Sequence, residues 1–364
     1  MVNSFFPSRI ITFYMARMFL TRTFAVLFAL VLVLQTLDLL GESGEVLGYK
    51  GNGNAEILRY ISLRAPQIIS LFLPFSVLLG TVITLATLNQ NSEVVSMKGA
   101  GLSAHQVLAP LIVASLLVAA ASFAFNDRIV SRATTTLTRW QKAEYGPIPK
   151  DTKMQTNVWV REGNRLINAD MVTGRGAAAK LSDVTVYTRS GGALTNITKS
   201  PLATPDQGAL KLQSARVFDV LSGKQTNAGT LRIGETLQPE QFTLASVEPA
   251  GLSFMELKAA ITDLKSAGRP TGALEAGLWH KISGPLSSIL MPLLGAVAAF
   301  GIARSGRLFF RAVIGMGLGF AYFVADNFGL AMGNLGAYPP LLAAWGPFFL
   351  FLLIGETVLI QTEE

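Results

Sequence analysis

No cysteine occurs in the 364 residues, which excludes disulfides, thiol catalysis and cysteine-based metal centres. Histidine is nearly missing as well. His105 and His280 are the two in the chain and stand far apart in sequence, so a histidine-clustered metal site is excluded. Charge is scarce: Asp, Glu, Lys and Arg make up 15% of the residues against 50% hydrophobic ones. A soluble protein carries about 25% charged residues, so this chain cannot cover a wholly aqueous surface. No phosphate-cradling Gly-x-x-x-x-Gly-Lys-Ser/Thr loop is present, because the Gly223-Lys224 pair is followed by Gln225. The chain is therefore expected not to hydrolyse nucleotide. No Ser/His/Asp arrangement stands out, and no cofactor is expected.

What is present is long apolar sequence, rich in phenylalanine (22) and glycine (34), which suits lipid-facing, closely packed helices. The net charge of +7 comes from Arg and Lys scattered along the chain, several of them just outside apolar stretches. That pattern indicates membrane insertion rather than nucleic-acid binding.

Six stretches are long enough to cross a hydrocarbon core, which needs about 20 helical residues. They run over Phe19–Leu40, Gln67–Leu88, Gln106–Phe125, Lys281–Ile302, Ala312–Met332 and Leu341–Ile360. The first is too long for the apolar core of a cleavable signal peptide, and no small-residue cleavage site follows it. Arg9, Arg17 and Arg22 precede the first span, and Arg304, Arg307 and Arg311 lie between the fourth and fifth. The loop around Gly333–Pro340 has no charge. Positive-inside bias then places both termini in the cytoplasm and the long segment Asn126–Glu275 outside, in a bacterium the periplasm.

That segment has a different period. Alternating runs at Asn157–Arg161, Asp183–Tyr187, Ala209–Gln213, Arg216–Leu221 and Thr230–Ile233 are separated by turn clusters at Glu162–Asn164, Ser190–Gly192 and Ser222–Lys224. They predict an all-β sandwich or jelly-roll. Ser253 and Glu256 have capping-box spacing before an amphipathic helix over Phe254–Ala267, which Gly268 and Pro270 end. The chain thus divides into a transmembrane half over 1–125, a β domain over 126–276 and a second transmembrane half over 277–364.

Four features remain as functional candidates. The connection Asn89–His105 predicts a short helix ended by Gly99 and Gly101, with an apolar face of Val94, Val95 and Met97. It reads either as an ordinary surface loop or as a helix docking on a cytoplasmic partner. Asp38, Asp326 and Glu356 are ionisable residues in or near spans and so candidates by default. Asp38 lies about 24 Å along a helix from Arg22 at 1.5 Å per residue, close to an interface, which leaves Asp326 as the one facing a cavity or making a helix–helix hydrogen bond. Pro74, Pro285 and Pro292 are kinks or ordinary membrane-helix prolines. Gly315, Gly317 and Gly319 suit close packing of the fifth span.

Taken together, SEVVSMKGAGLS at Ser92–Ser103, LWHKISGPLSSILMPLL at Leu278–Leu294 and PPLLAAWGP at Pro339–Pro347 resemble the LptF/LptG permease family, the membrane subunits of the bacterial ABC transporter that exports lipopolysaccharide. The last of these and LDLLGESGEVLG at Leu37–Gly48 look more like the G-type than the F-type. The resemblance covers essentially the whole chain. It implies a non-enzymatic inner-membrane subunit that pairs with an F-type permease above a dimer of a separate ATPase. It also implies a single-span partner with which the periplasmic jelly-rolls form a bridge toward the outer membrane. The coupling residues it implies are Ser92, Glu93, Val94, Met97, Lys98 and Gly101, with Glu93 contacting a basic residue of the ATPase. The first and fifth spans would be lateral gates for the lipid, with Leu34, Asp38, Phe320, Tyr322, Phe323 and Asp326 at the cavity and gate. Where some members carry lysines at the outer end of the first span, this chain has Asp38, Glu42 and Glu45. Either the lipid is charged differently, or Arg59, Arg64 and the F-type partner supply the cations. An F-type subunit, a secondary transporter and a membrane-anchored scaffold are the competing readings.

Overall fold

The computed structural model describes residues 7–147, 155–174, 179–206, 208–234, 249–266, 270–300 and 308–361, and all side chains of these except 155–157, 161, 298–300 and 308–312. The expected loop arginines Arg304 and Arg307, and the side chain of Arg311, lie outside the described residues. The chain forms two compact units: 1–148 with 249–257 and 272–364, and 149–248 with 258–271.

The first unit is helical. Its long elements are α1 (Arg9–Gly48), α2 (Asn54–Gln90), α4 (Ala104–Phe125), α7 (Gly272–Phe300), α8 (Leu308–Asn334) and α9 (Pro340–Gln361), with a seven-residue α3 (Glu93–Gly99) between α2 and α4. Helices α1, α2, α4, α8 and α9 are long and apolar enough to cross a membrane. At about 1.5 Å per residue, the 40 residues of α1 extend about 60 Å, well past a hydrocarbon core of about 30 Å. Side chains start these helices where expected. Ser103 and Gln106 cap α4 reciprocally, with Gln106 N–H donating to Ser103 Oγ at 3.2 Å and Ser103 N–H to Gln106 Oε1 at 3.0 Å.

Helix α4 does not stop at Phe125, where its apolar run ends. It continues through a π-turn, Asn126–Val130, into α5 (Ser131–Lys142). The sequence there is polar but contains neither glycine nor proline, so nothing ends the helix. The helical run consequently extends to Lys142. The loss of apolarity marked an environment, and the helix outlasted it.

Helices α2 and α7 are central. Helix α2 packs on α1, α5, α7 and α8, and α7 packs on α2, α4, α8 and α9. Gly80 makes the α1–α2 approach possible, because a Cβ there would come within 2.9 Å of the Thr23 Cα. The core runs through Met15, Phe19, Leu78, Leu85, Leu108, Leu111, Leu294 and Tyr322. The glycines of α8 divide in role: a Cβ on Gly319 would overlap Leu78 of α2, whereas one on Gly317 would meet open space.

The second unit holds six antiparallel strands in consecutive order: β1 (Gln155–Glu162), β2 (Arg165–Thr173), β3 (Lys180–Ser190), β4 (Ala193–Asp206), β5 (Ala209–Asp219) and β6 (Gln225–Ile233). The β3–β4 hairpin turns on Gly191 and Gly192, both at positive φ (59° and 86°), as a two-residue primed turn requires. The two runs expected as separate strands, Ala209–Gln213 and Arg216–Leu221, are corrected to one strand, β5. Ser214 at φ 53° inserts a bulge between paired Leu212 and Ala215. The bulge shifts the buried positions from Leu210 and Leu212 to Ala215, so one strand reads as two. Strands β2 and β4, unread in the sequence, have mixed burial without clean alternation. The described strands make one meander whose core is Val158, Ile167, Val184, Val186 and Leu212 among others. The second sheet of a sandwich or jelly-roll is not among the described strands. Helix α6 (Phe254–Ser266) begins as expected, with the Ser253 N–H and hydroxyl bonded to Glu256 Oε2 at 2.9 and 2.7 Å. Those hydrogen bonds hold the Glu256 carboxyl below its ordinary range. The expected stop, Gly268, lies outside the described residues.

Candidate functional site

The first candidate is the α2–α4 connection. Ser92 precedes α3 in the left-handed region at φ 59°, and Gly101 follows it at φ 88°, so the short helix is set off by a tight turn on each side. The expected free apolar face is corrected for two of its three residues. Val94 and Met97 are buried in the helical core, and Val95 alone is exposed, at 63%. Three residues apart, Val94 and Met97 share one helix face, while Val95 and Ser96 point away. Glu93 Oε1 accepts from the Tyr14 hydroxyl at 3.3 Å and from Asn91 Nδ2 at 3.2 Å, which ties α3 to the start of α1. Lys98 is exposed. The segment is a riveted knob presenting Glu93, Val95 and Lys98, not a loose amphipathic helix.

The second candidate is the opposite end of α1. Asp38 is not an isolated acid. Its carboxylate accepts from Arg64 Nη2 at 2.8 Å, Arg64 Nε at 3.0 Å and the Tyr60 hydroxyl at 2.6 Å. Arg64 Nη1 also donates to Gln67 Oε1 at 2.6 Å, and Gln67 Nε2 to Thr134 Oγ1 of α5 at 3.1 Å. Arg64, expected as a spare cation, is thus committed to Asp38. Arg59 is exposed, its guanidinium 4.6 Å above the Trp140 ring. A small core of Val46, Tyr60, Leu137, Trp140 and Tyr145 fastens the same corner, and Glu42 Oε2 accepts from the Tyr145 hydroxyl at 2.8 Å. Burial first, and also the Glu42 and Glu45 carboxylates, push the Tyr145 phenol up to about 12, against donation from Gln141. The sequence carries no local signal for this network, because Asp38 and Arg64 are brought together by the α1–α2 hairpin.

The third group is the proposed cavity and gate. Leu34 and Phe323 are half-buried and Phe320 is 61% exposed. Tyr322 is buried, its ring edge-on to Phe351 of α9 at 5.5 Å. Phe323 instead meets Phe75 of α2 at 5.4 Å. Asp326 Oδ2 lies 2.9 Å from His280 Nε2 of α7, and Glu356 pairs with His105 at 3.2 Å, so each of the two histidines faces a carboxylate. Exposed apolar rows follow α1 (Phe24, Phe28, Leu32), α8 (Phe320, Val324, Phe328) and α9 (Leu342, Phe349, Leu353).

Long helices that turn apolar side chains outward, with polar ties confined to a few helix contacts, define a multi-pass membrane protein. No group of three or more His, Cys, Asp or Glu that could hold a metal occurs among the described residues. The model of the family described as "Lipopolysaccharide export system permease LptF/LptG" matches residues 13–361, and the chain belongs to that family of non-enzymatic permeases. It is 25% identical over 323 residues to the lipopolysaccharide export system permease protein LptG of Escherichia coli K12, covering 85% of this chain and 88% of the relative. It is 25% identical over 343 residues to LptG of Haemophilus influenzae, covering 90% and 93%.

Proposed function

We propose that this chain is the G-type permease subunit of an ATP-driven exporter that extracts lipopolysaccharide from the inner membrane and passes it toward the outer membrane. In this reading α7 is the sixth span, both termini are cytoplasmic, and the β unit is a periplasmic jelly-roll belonging to a bridge shared with a single-span partner. ATP is hydrolysed by a separate cytoplasmic dimer. A second, F-type permease completes the cavity, with α1 and α8 as its lateral gates. The G-type assignment is supported by the LptG names of both relatives above.

One observation carries the coupling role. The α3 knob is riveted by Val94 and Met97 between two long helices and offers Glu93, Val95 and Lys98 outward. A push on α3 is therefore delivered to α2 and α4 as a rigid displacement, since a packed core does not deform continuously. The test is co-purification from membranes. Wild type is expected to bring down an ATP-binding subunit and a second multi-span chain. Val95→Asp, which alters only an outward side chain, and Glu93→Arg are expected to lose the ATP-binding subunit while keeping the second permease. Retention of full ATPase coupling in both variants would remove α3 from the contact.

A further inference from the structure

Between α7 and α8 runs a polar seam that includes Tyr322 and Asp326, two of the residues expected at the cavity. His280, Ser283 and Ser287 fall on one face of α7 at spacings of three and four, and Tyr322 and Asp326 on one face of α8 at a spacing of four. The His280–Asp326 contact of 2.9 Å fixes the register, and Ser287 lies beside the Tyr322 phenol. Ser283, Ser287 and Tyr322 are each at least nine-tenths buried. Two oxygens here, Ser283 Oγ and Asp326 Oδ1, are buried without a hydrogen-bond partner, and Tyr322 Oη has at most the Ser287 hydroxyl beside it. Ser287 spends its proton on the Gly284 carbonyl at 2.6 Å, which leaves its lone pairs free.

Charges on the neighbouring helices are engaged elsewhere. Among the described residues of the packed elements, α4 and α9 carry one titratable side chain each, His105 and Glu356, and these pair with each other. On α2, Tyr60 and Arg64 are engaged by Asp38, Arg59 lies over Trp140, and Glu56 caps its own helix. Lys281 adjoins His280 in sequence, but the carboxylates acting on it are Asp127 and Glu256. His280 Nε2 faces Asp326 Oδ2, while Oδ1 of the same carboxylate is buried without a partner, which a buried polar atom does not tolerate without cost.

We propose that this seam binds a monovalent alkali cation. Asp326 Oδ1 supplies the charge, Tyr322 Oη, Ser283 Oγ and Ser287 Oγ supply neutral oxygens, and His280 orients the carboxylate from its other oxygen. One carboxylate with hydroxyl oxygens matches a single positive charge, whereas a divalent ion takes more carboxylates. The bound ion joins α7 to α8, so it steadies the helix whose exposed face carries Phe320, Val324 and Phe328. The inference stands on the seam alone and does not depend on the transport reading.

The test uses the full chain in lipid nanodiscs with radiolabelled sodium, and potassium as competitor. Wild type is expected to saturate at one ion per chain, and Asp326→Asn to show no saturable binding. Ser283→Ala and Tyr322→Phe should weaken binding on the order of tenfold each. His280→Gln keeps a donor to Asp326 and should retain binding. His280→Lys places an ammonium in the seam and should abolish it while the chain stays folded, so the proposal remains testable if Asp326→Asn fails to fold. No saturable uptake of either ion by wild type, or uptake by His280→Lys equal to wild type, would overturn the site and leave the oxygens bridged by water.

Discussion

Helices α1 and α2 are almost equally apolar, yet 6% of the apolar window of α1 is buried against 56% of that of α2. In α1 the buried positions form a single stripe, Met15, Phe19, Thr23 and Leu27, at intervals of four. In α2 they surround the helix, with the consecutive runs Ser76, Val77, Leu78 and Gly80, Thr81, Val82 all buried. Lipid is as apolar as leucine, so apolarity puts a helix in the bilayer without saying which face meets protein. Shape and hydrogen bonding decide that. Helix α1 is held where Gly80 admits Thr23, where Arg22 Nη1 donates to the Ile83 carbonyl at 2.9 Å, and at the Asp38–Arg64 clasp.

The comparison can be broken most severely at Gly80. Gly80→Leu is expected to cost about 3 kcal/mol, because behind the Thr23 hydroxyl the neighbouring atoms are Thr23 backbone and cannot swing away. Unfolding in a denaturing detergent, read by circular dichroism, measures it. A smaller effect should separate the two helices directly. Leu85→Ala, in the core of α2, should cost about 2 kcal/mol in the same assay, and Phe28→Ala, 70% exposed on α1, within about 0.5 kcal/mol. If Phe28→Ala proved the costlier, the exposed row of α1 would already be packed against another part of the chain.

The clasp comes next. Asp38→Asn removes the charge that Arg64 faces, and both groups keep some solvent contact, so about 1 kcal/mol is expected. Reversing the pair as Asp38→Arg with Arg64→Asp should recover part of the loss, which a merely steric role would not do. The smallest effect is at the neighbouring phenol. The Tyr145 proton is held more tightly in the folded chain than the ordinary phenol value of about 10. The stability it contributes is present below about pH 10 and lost as pH rises through about 12. Tyr145→Phe should flatten that alkaline decline in the unfolding midpoint.

Much of this architecture was legible in the chain. The long apolar runs, the capping pairs Ser103–Gln106 and Ser253–Glu256, the glycine turn at 191–192 and the short α3 are written in local sequence and recur in the fold. Three kinds of feature were not. The helical continuation beyond Phe125 was not read because a polar stretch without glycine or proline changes medium without ending a helix. Strand β5 was split in two because a one-residue bulge at Ser214 reverses the alternation on which strands are recognised. Partners distant in sequence, such as Asp38 with Arg64 and His280 with Asp326, have no mutual signal until helices are packed.

The sequence by itself determined a membrane-embedded chain with an inserted β unit, a short helix on the α2–α4 connection, and membership of a permease family. Those properties follow from composition, period and local hydrogen bonding, which act within a few residues. Tertiary structure alone decided that Val94 and Met97 turn inward while Val95 faces out, that Tyr322 packs into the helical core, and that Arg64 is already paired with Asp38. It also decided that Asp326 meets an imidazole in a seam of buried hydroxyls. The reason is the same in each case: a helix has several faces of similar chemistry, and only the neighbours brought by the fold choose among them.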